Sequence, residues 1–200
     1  ESAMRLLIAI PTKSDPEYLD RAACCEATWL ANCPCDYKFF RDSEFGLDES
    51  DPLVRQKRMK AMCLYALRLG YDFLFRVDSD AYVRVVQLLT SGFEAHDYMG
   101  WHKVHDVSAF GSVGFFLSRR AMQLVVDAEH FPHPTGSLGL IYWGDMWTGF
   151  VLRAEGINCH VHAGFVDGLG TDFTAENLPA GEWISIHPVS NKEMVQIHGQ

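Results

Sequence analysis

The run Phe73-Leu74-Phe75-Arg76-Val77 constrains the fold of this chain more than any other stretch. Every residue in it but Arg76 is apolar, and Gly70 punctuates the chain just upstream. A short apolar run of this kind reads as a strand buried on both faces, in the middle of a parallel sheet. It stops at two carboxylates, Asp78 and Asp80. In open α/β sheets, ligands gather at the carboxyl ends of the strands. Two carboxylates about 4 Å apart repel by roughly 4 kcal/mol at an effective dielectric of about 20. A divalent cation removes that cost by taking oxygen ligands from both. An Asp-x-Asp also suits a plain capped turn, but its place at the end of a buried strand favours the metal.

Size and charge narrow the classes. Two hundred residues suit one domain with a substantial core. A net charge of −9 argues against a nucleic-acid partner, which needs a basic face. A phosphate-bearing ligand would then need local cations. No run of about 18 apolar residues occurs, so no membrane span is expected in this chain. Glu1 rather than Met opens the sequence, which leaves room for an upstream segment or further domains of a longer polypeptide. Cys24, Cys25, Cys33, Cys35, Cys63 and Cys159 read as buried free thiols. With no Asn-x-Ser/Thr acceptor present, they favour a reducing, cytoplasmic setting over a luminal one.

Along the chain, Arg5 to Ile10 reads as the first strand, broken by Pro11. Ser14-Asp15-Pro16-Glu17 opens a helix through Leu30. Asp36 to Phe40 is a strand, and Asp42 to Asp51 an acidic loop. Asp51-Pro52 opens a second helix that Gly70 closes. Val85 to Leu89 is a short helix or turn. Tyr98 to Trp101 and Val113 to Leu117 are strands around a polar loop with His102, Lys103, His105 and Asp106. Ser118 starts a helix to about Ala128. Phe131 to Tyr142 is irregular, a candidate lid. A helix runs from Asp145 to Glu155, a strand from Ile157 to Val161, a glycine-marked mobile loop across Gly164 to Gly170, and a last strand from Trp183 to His187. The order β-α-β-α-β in the first half implies a parallel α/β sheet, and the second half looks mixed.

Arg76 to Val83 resembles the DxD segment of metal-dependent glycosyltransferases of the GT-A fold, especially the beta-3-galactosyltransferase and fringe group. Five other stretches are similar to that group, in the same order. They are Arg21-Ala22-Ala23 with Thr28-Trp29; Lys57, ahead of the DxD; Gly111 to Ser118; Gly144-Asp145-Met146-Trp147-Thr148-Gly149 with Leu152-Arg153; and Ile184-Ser185-Ile186-His187-Pro188. Together they span positions 21 to 188. The resemblance implies a GT-A (nucleotide-diphospho-sugar transferase) fold over residues 1–200, a Rossmann-like mixed sheet flanked by helices. A nucleotide-binding half, 1–83, would end in the DxD, and 84–200 would form the acceptor and catalytic half. The resemblance further implies Mn²⁺ or Mg²⁺ held by Asp78, Asp80 and His187, and a UDP-sugar donor such as UDP-glucose, UDP-galactose or UDP-rhamnose. The acceptor would be a glycan hydroxyl, and Asp145 the general base of an inverting transfer. The compact length also suits a virus-encoded domain acting in a host cytoplasm. Three departures stand out. Gly144 replaces an acidic residue, Glu26 replaces a basic one, and the chain is shorter than most members of the group.

Each candidate has a plainer alternative. Asp145 could be a helix N-cap, and His187 an ordinary strand-end histidine rather than a ligand for a metal such as Mn²⁺. Thr12 and Lys13 follow the first strand, where nucleotide contacts fall in such folds, and Ser79 sits between the two aspartates. Lys57 and Arg55 could meet a diphosphate or line a solvated helix face, the latter favoured for Arg55. Among Trp101, Trp143 and Trp147, stacking on a sugar competes with core packing, and Trp143 is the best placed. The remaining histidines, including His160-x-His162, read as solvated or core-satisfied. Three other functions compete: a retaining transferase of the same fold, a carbohydrate-binding pseudoenzyme, and a phosphoryl hydrolase with Asp78 as nucleophile. Phosphate-loop, dinucleotide and serine-hydrolase motifs are absent.

Overall fold

Alternate residues of β1 (Leu6–Thr12) enter opposite faces of one sheet, and all seven are buried. Leu7 and Ala9 join Met59, Met62 and Trp147 on one side, while Ile8 and Ile10 join Trp29, Phe75 and Trp183 on the other. Such two-sided burial is what the interior of an α/β sheet demands. The computed structural model describes residues 4–101, 108–131, 133–134, 140–141, 143–168 and 170–200. The expected loop residues His102, Lys103, His105 and Asp106 lie outside these, as do 132, 135–139 and 142 of the expected irregular stretch.

Six strands form the main sheet: β1, β2 (Asp36–Arg41), β3 (Phe73–Arg76), β5 (Tyr98–Gly100), β6 (Phe115–Ser118) and β9 (His160–Val161), in the order β2-β1-β3-β6-β5-β9. β1 is parallel to β2 and to β3, with α1 (Pro16–Ala27) and α2 (Val54–Arg68) as the crossovers. β3 is not, however, the middle of an all-parallel sheet, because β6 lies antiparallel against its other side. The chain leaves β3 through β4 (Tyr82–Val83) and α3 (Val85–Leu89) to reach β5, and β5 and β6 then pair antiparallel. Nor does Pro11 end β1. The Ala9 carbonyl accepts from Val77 N–H at 3.1 Å, so by alternation Pro11 faces the same side, past the end of β3. Its missing N–H therefore costs no ladder bond.

Helices α2, α4 (Arg119–Asp127) and α5 (Gly144–Ala154) pack together on one face. On the other face lie α1, α6 (Asn191–His198) and a small sheet, β10-β11-β4, made of β10 (Phe165–Asp167), β11 (Ser185–His187) and β4. A short pair, β7 (His133–Pro134) and β8 (Leu140–Ile141), runs antiparallel. Local signals explain most helix ends. Ser118 Oγ accepts from Ala121 N–H at 3.2 Å to cap α4, and Gly70, at φ +77°, adopts the left-handed turn after α2.

The second half departs from expectation in three places. Residues 164–170, expected as a loop, contain β10, because Phe165, Val166 and Asp167 pair in parallel with Ser185, Ile186 and His187. The strand expected from Ile157 shrinks to the two residues of β9. Helix α6 follows the last strand and was not foreseen, although Ser190, whose Oγ accepts from Glu193 N–H at 3.3 Å, is its N-cap. The cysteines also differ from the buried reading. All six are free, but only Cys25 and Cys63 are buried. Burial pushes the Cys25 thiol up to about 12, whereas a hydrogen bond with Cys35 lowers Cys33 to about 7. Among the described residues, no helix is long and apolar enough to cross a membrane.

Candidate active site

The carboxyl ends of β1 and β3 open into a cleft of about 460 Å³. Thr12, Lys13, Asp78, Ser79, Asp80 and Asp145 all line it. Parallel pairing of β1 and β3, which runs to Ala9 and Arg76, brings Thr12 and Asp78 to the same end of the sheet, and the N-terminus of α5 brings Asp145 to the same cleft.

At one end, Asp80 is a quarter exposed and meets two side chains. Arg21 Nη1 donates to its Oδ2 at 3.1 Å, and His187 Nε2 faces Oδ1 at 3.4 Å. Burial works to raise the Asp80 pKa, but His187 and then Arg21 outweigh it and hold the carboxyl below its ordinary range. His187 is itself flanked by a second carboxylate, with Nδ1 3.1 Å from Asp167 Oδ2. Burial alone would lower its pKa. Asp80, then Asp167 and Asp78, reverse the sign, so the ring titrates above its usual value.

Asp78 is turned differently. Its Oδ1 pairs with Arg76 Nη2 at 2.7 Å, while Nε and Nη1 of the same guanidinium are buried with no partner among the described residues. That guanidinium lies against Gly111, where a Cβ would come within 2.5 Å of Nη1 and 3.2 Å of Asp145 Oδ2. A side chain at this position would have to push the guanidinium aside. Gly111 N–H in turn donates to Asp145 Oδ2 at 3.0 Å, and Met146 N–H donates to Oδ1 at 2.8 Å. Asp145 is thus not the N-cap of α5, a place held by Trp143. Gly144 packs so closely on α2 that a Cβ there would overlap the Arg55 carbonyl and come within 2.9 Å of Met59 Cγ. An acidic side chain at that position has no room.

Helix geometry sorts the cations of α2. Arg55 and Arg58, three apart on one face, line the cleft. Lys57 points elsewhere and pairs with Asp51. Arg58, which sequence reasoning passed over, forks onto buried Asp42, with Nε 2.6 Å from Oδ1 and Nη2 on Oδ2. Lys13 pairs with Glu49 at 2.9 Å, and that hydrogen bond raises its pKa. Thr12 Oγ1 is buried beside the cleft without a partner among the described residues. Trp143 is exposed at the cleft, Trp147 is fully buried with its indole N–H on the Glu129 carbonyl, and Trp101 packs on Phe110.

Could these residues hold a divalent metal? Among the described residues, no group of three His, Cys, Asp or Glu side chains is arranged to do so. Two donors do face one point, Asp80 Oδ1 and His187 Nε2. Carboxylate oxygen with neutral imidazole suits a Mn²⁺-type ion, and the Asp167–His187 contact is the outer partner such a ligand normally has. The donor set fits on this side of the cleft. Asp78 Oδ1 is paired instead with Arg76.

No family model matches the sequence, and no curated protein matches it. Among solved structures, the chain is similar to a glycosyltransferase involved in the glycosylation of the major capsid of PBCV-1. The TM-score is 0.55 at 14% identity, over 96% of this chain and 98% of that one. It also bears some likeness to A197 from STIV, with a TM-score of 0.46 at 11% identity over 80% and 82% of the two chains, too low to argue from. The first likeness shows a shared fold. The α/β fold with a mixed sheet flanked by helices, expected from sequence, is the fold observed, and it is one that a glycosyltransferase adopts.

Proposed function

We propose that this chain is a metal-dependent glycosyltransferase of the GT-A type that moves a sugar from a nucleoside-diphosphate donor to a glycan hydroxyl with inversion. The observation that carries the reading is one cleft, at the carboxyl ends of β1 and β3, where the Asp78–Asp80 pair and Asp145 meet with Lys13, Arg21 and Arg58 around them. A chain of net charge −9 needs such local cations to receive a diphosphate. The fold shared with a glycosyltransferase supports the same reading.

In this proposal Asp80 and His187 hold the divalent cation. When bound, it supplies positive charge against which the diphosphate departs. Arg21 and Lys13 stand on the same side and take phosphate oxygens, with Thr12 and Ser79 lining the nucleotide wall. Asp145 takes the proton of the acceptor hydroxyl as that oxygen attacks the anomeric carbon. Its two backbone donors fix the carboxylate in place and leave lone pairs on both oxygens. Trp143 offers an apolar face against which a sugar ring can lie. UDP-glucose, UDP-galactose and UDP-rhamnose are the donors to try first.

A panel of nucleotide sugars, with and without Mn²⁺, tests this by thermal stabilisation and slow donor hydrolysis. UDP with Mn²⁺ should stabilise the wild type and leave Asp80→Ala unmoved. If no nucleotide gives a metal-dependent response, the proposal fails.

A further inference from the structure

We infer that Asp167 is the positioning residue for His187, and that the small sheet is the frame that sets the two against Asp80. Metal affinity enters only through the function proposed above. The orientation of the ring does not depend on it.

Three backbone relations build the frame. Asp167 and His187 are direct partners across the parallel β10–β11 pair. Gly168 N–H donates to the His187 carbonyl at 2.8 Å, which fastens the two strand ends together. Beyond His187, Val189 N–H donates to the Asp80 carbonyl at 2.8 Å, and Ile186 pairs with Tyr82 of β4. Asp80, His187 and Asp167 are therefore tied through main chain before any side chain is considered.

The side chains then follow from donor and acceptor chemistry. Asp167 is only 4% exposed, and a buried carboxylate requires N–H donors. A carboxylate oxygen accepts, so the 3.1 Å contact favours the tautomer that carries its proton on His187 Nδ1. A neutral ring in that tautomer directs the Nε2 lone pair towards Asp80, which is the orientation a metal-ligating imidazole needs. The contact of the ring with Asp80 is longer, at 3.4 Å, and the other oxygen of Asp80 takes Arg21 Nη1. Phe110, with its ring centroid 6.5 Å from that of His187, packs edge-on against the imidazole and limits its swing.

The test has two readouts. The first is the ring itself. In wild-type protein labelled with ¹⁵N-histidine, at a pH where His187 is neutral, its nitrogens should report the Nδ1–H form. Asp167→Leu should shift the population to the Nε2–H form, and an unchanged tautomer overturns the assignment. The second is Mn²⁺ affinity, read from the free-ion EPR signal with UDP present. Asp167→Leu should weaken binding about tenfold, the low end for loss of an outer-shell partner. In a His187→Ala background the same change should add nothing, since Asp167 acts through the ring. Additive losses would mean a general structural role and would also overturn it. A wild-type chain that binds no Mn²⁺ removes the metal from the proposed function, and Asp167 is then judged on the tautomer alone.

Discussion

The two ends of the cleft hold their carboxylates by different means. Asp80 is held by side chains from remote segments, Arg21 of α1 and His187 of β11, the latter backed by Asp167. Asp145 is held by main-chain N–H groups, from Gly111 and from the next residue, Met146. Side-chain ion pairs can exchange partners when a charged ligand arrives. Backbone donors cannot move aside and leave the carboxylate aimed in one direction. The contrast suits a site where one end must accept a bulky anion with its counter-ion and the other must present a fixed proton acceptor.

Removing the charge at the fixed end gives the largest expected effect. Asp145→Asn preserves size and one of the two backbone contacts, since the amide nitrogen cannot accept the other N–H, and UDP with Mn²⁺ should still stabilise the protein. Transfer should fall by about 10²- to 10⁴-fold, the range for loss of a general base. Turnover near wild type would mean that backbone-held Asp145 is only structural, and the contrast would collapse.

The next effect falls on stability, at an ion pair of α2, which packs on the same face as α5. Asp42 is 3% exposed, and it holds Arg58, which lines the cleft. Asp42→Ala leaves that guanidinium buried and unpaired, which should cost roughly 3–5 kcal/mol in urea unfolding. An Arg58→Met, Asp42→Leu double variant should recover part of the loss. If the single variant unfolds at the wild-type midpoint, charge pairing is not what holds Arg58 at the cleft.

The subtlest change targets the contact between the ends. Gly111→Ala brings a methyl within 2.5 Å of Arg76 Nη1 and 3.2 Å of Asp145 Oδ2. Either the guanidinium or the Asp145 carboxylate must give way. Displacing Asp145 should lower turnover by up to about 10²-fold while nucleotide affinity stays close to wild type. Equal losses in both would show that Arg76 couples the two ends rather than separating them.

The difference between the ends also governs what could be read from sequence. Asp78, Asp80 and Asp145 were legible because each follows a strong local signal, a buried strand or a helix start, and they do share one cleft. Asp167 was not. Its neighbours Gly164, Gly168 and Gly170 read as loop, and the residue acquires meaning only once β11 lies beside it. Lys57 and Arg58 are adjacent in sequence, but a helix turns them to different sides, and only Arg58 reaches the cleft. Trp143 and Trp147 flank the same helix start, yet one is at the mouth and the other in the core. The Ser190-x-x-Glu193 cap of α6 was readable and passed over. Local chemistry announces an element, whereas pairings across 50 or more residues, such as Arg21 with Asp80, appear only after the sheet is assembled.

The rims of the main sheet carry a consequence of their own. On one side β9 is two residues long. On the other, β2 exposes Asp36 and Tyr37, while its Lys38 and Arg41 are engaged with Glu44. Another chain seeking to add a strand would find too short a template at the first rim and a charged one at the second. Both rims of the main sheet are therefore poor templates for a further strand.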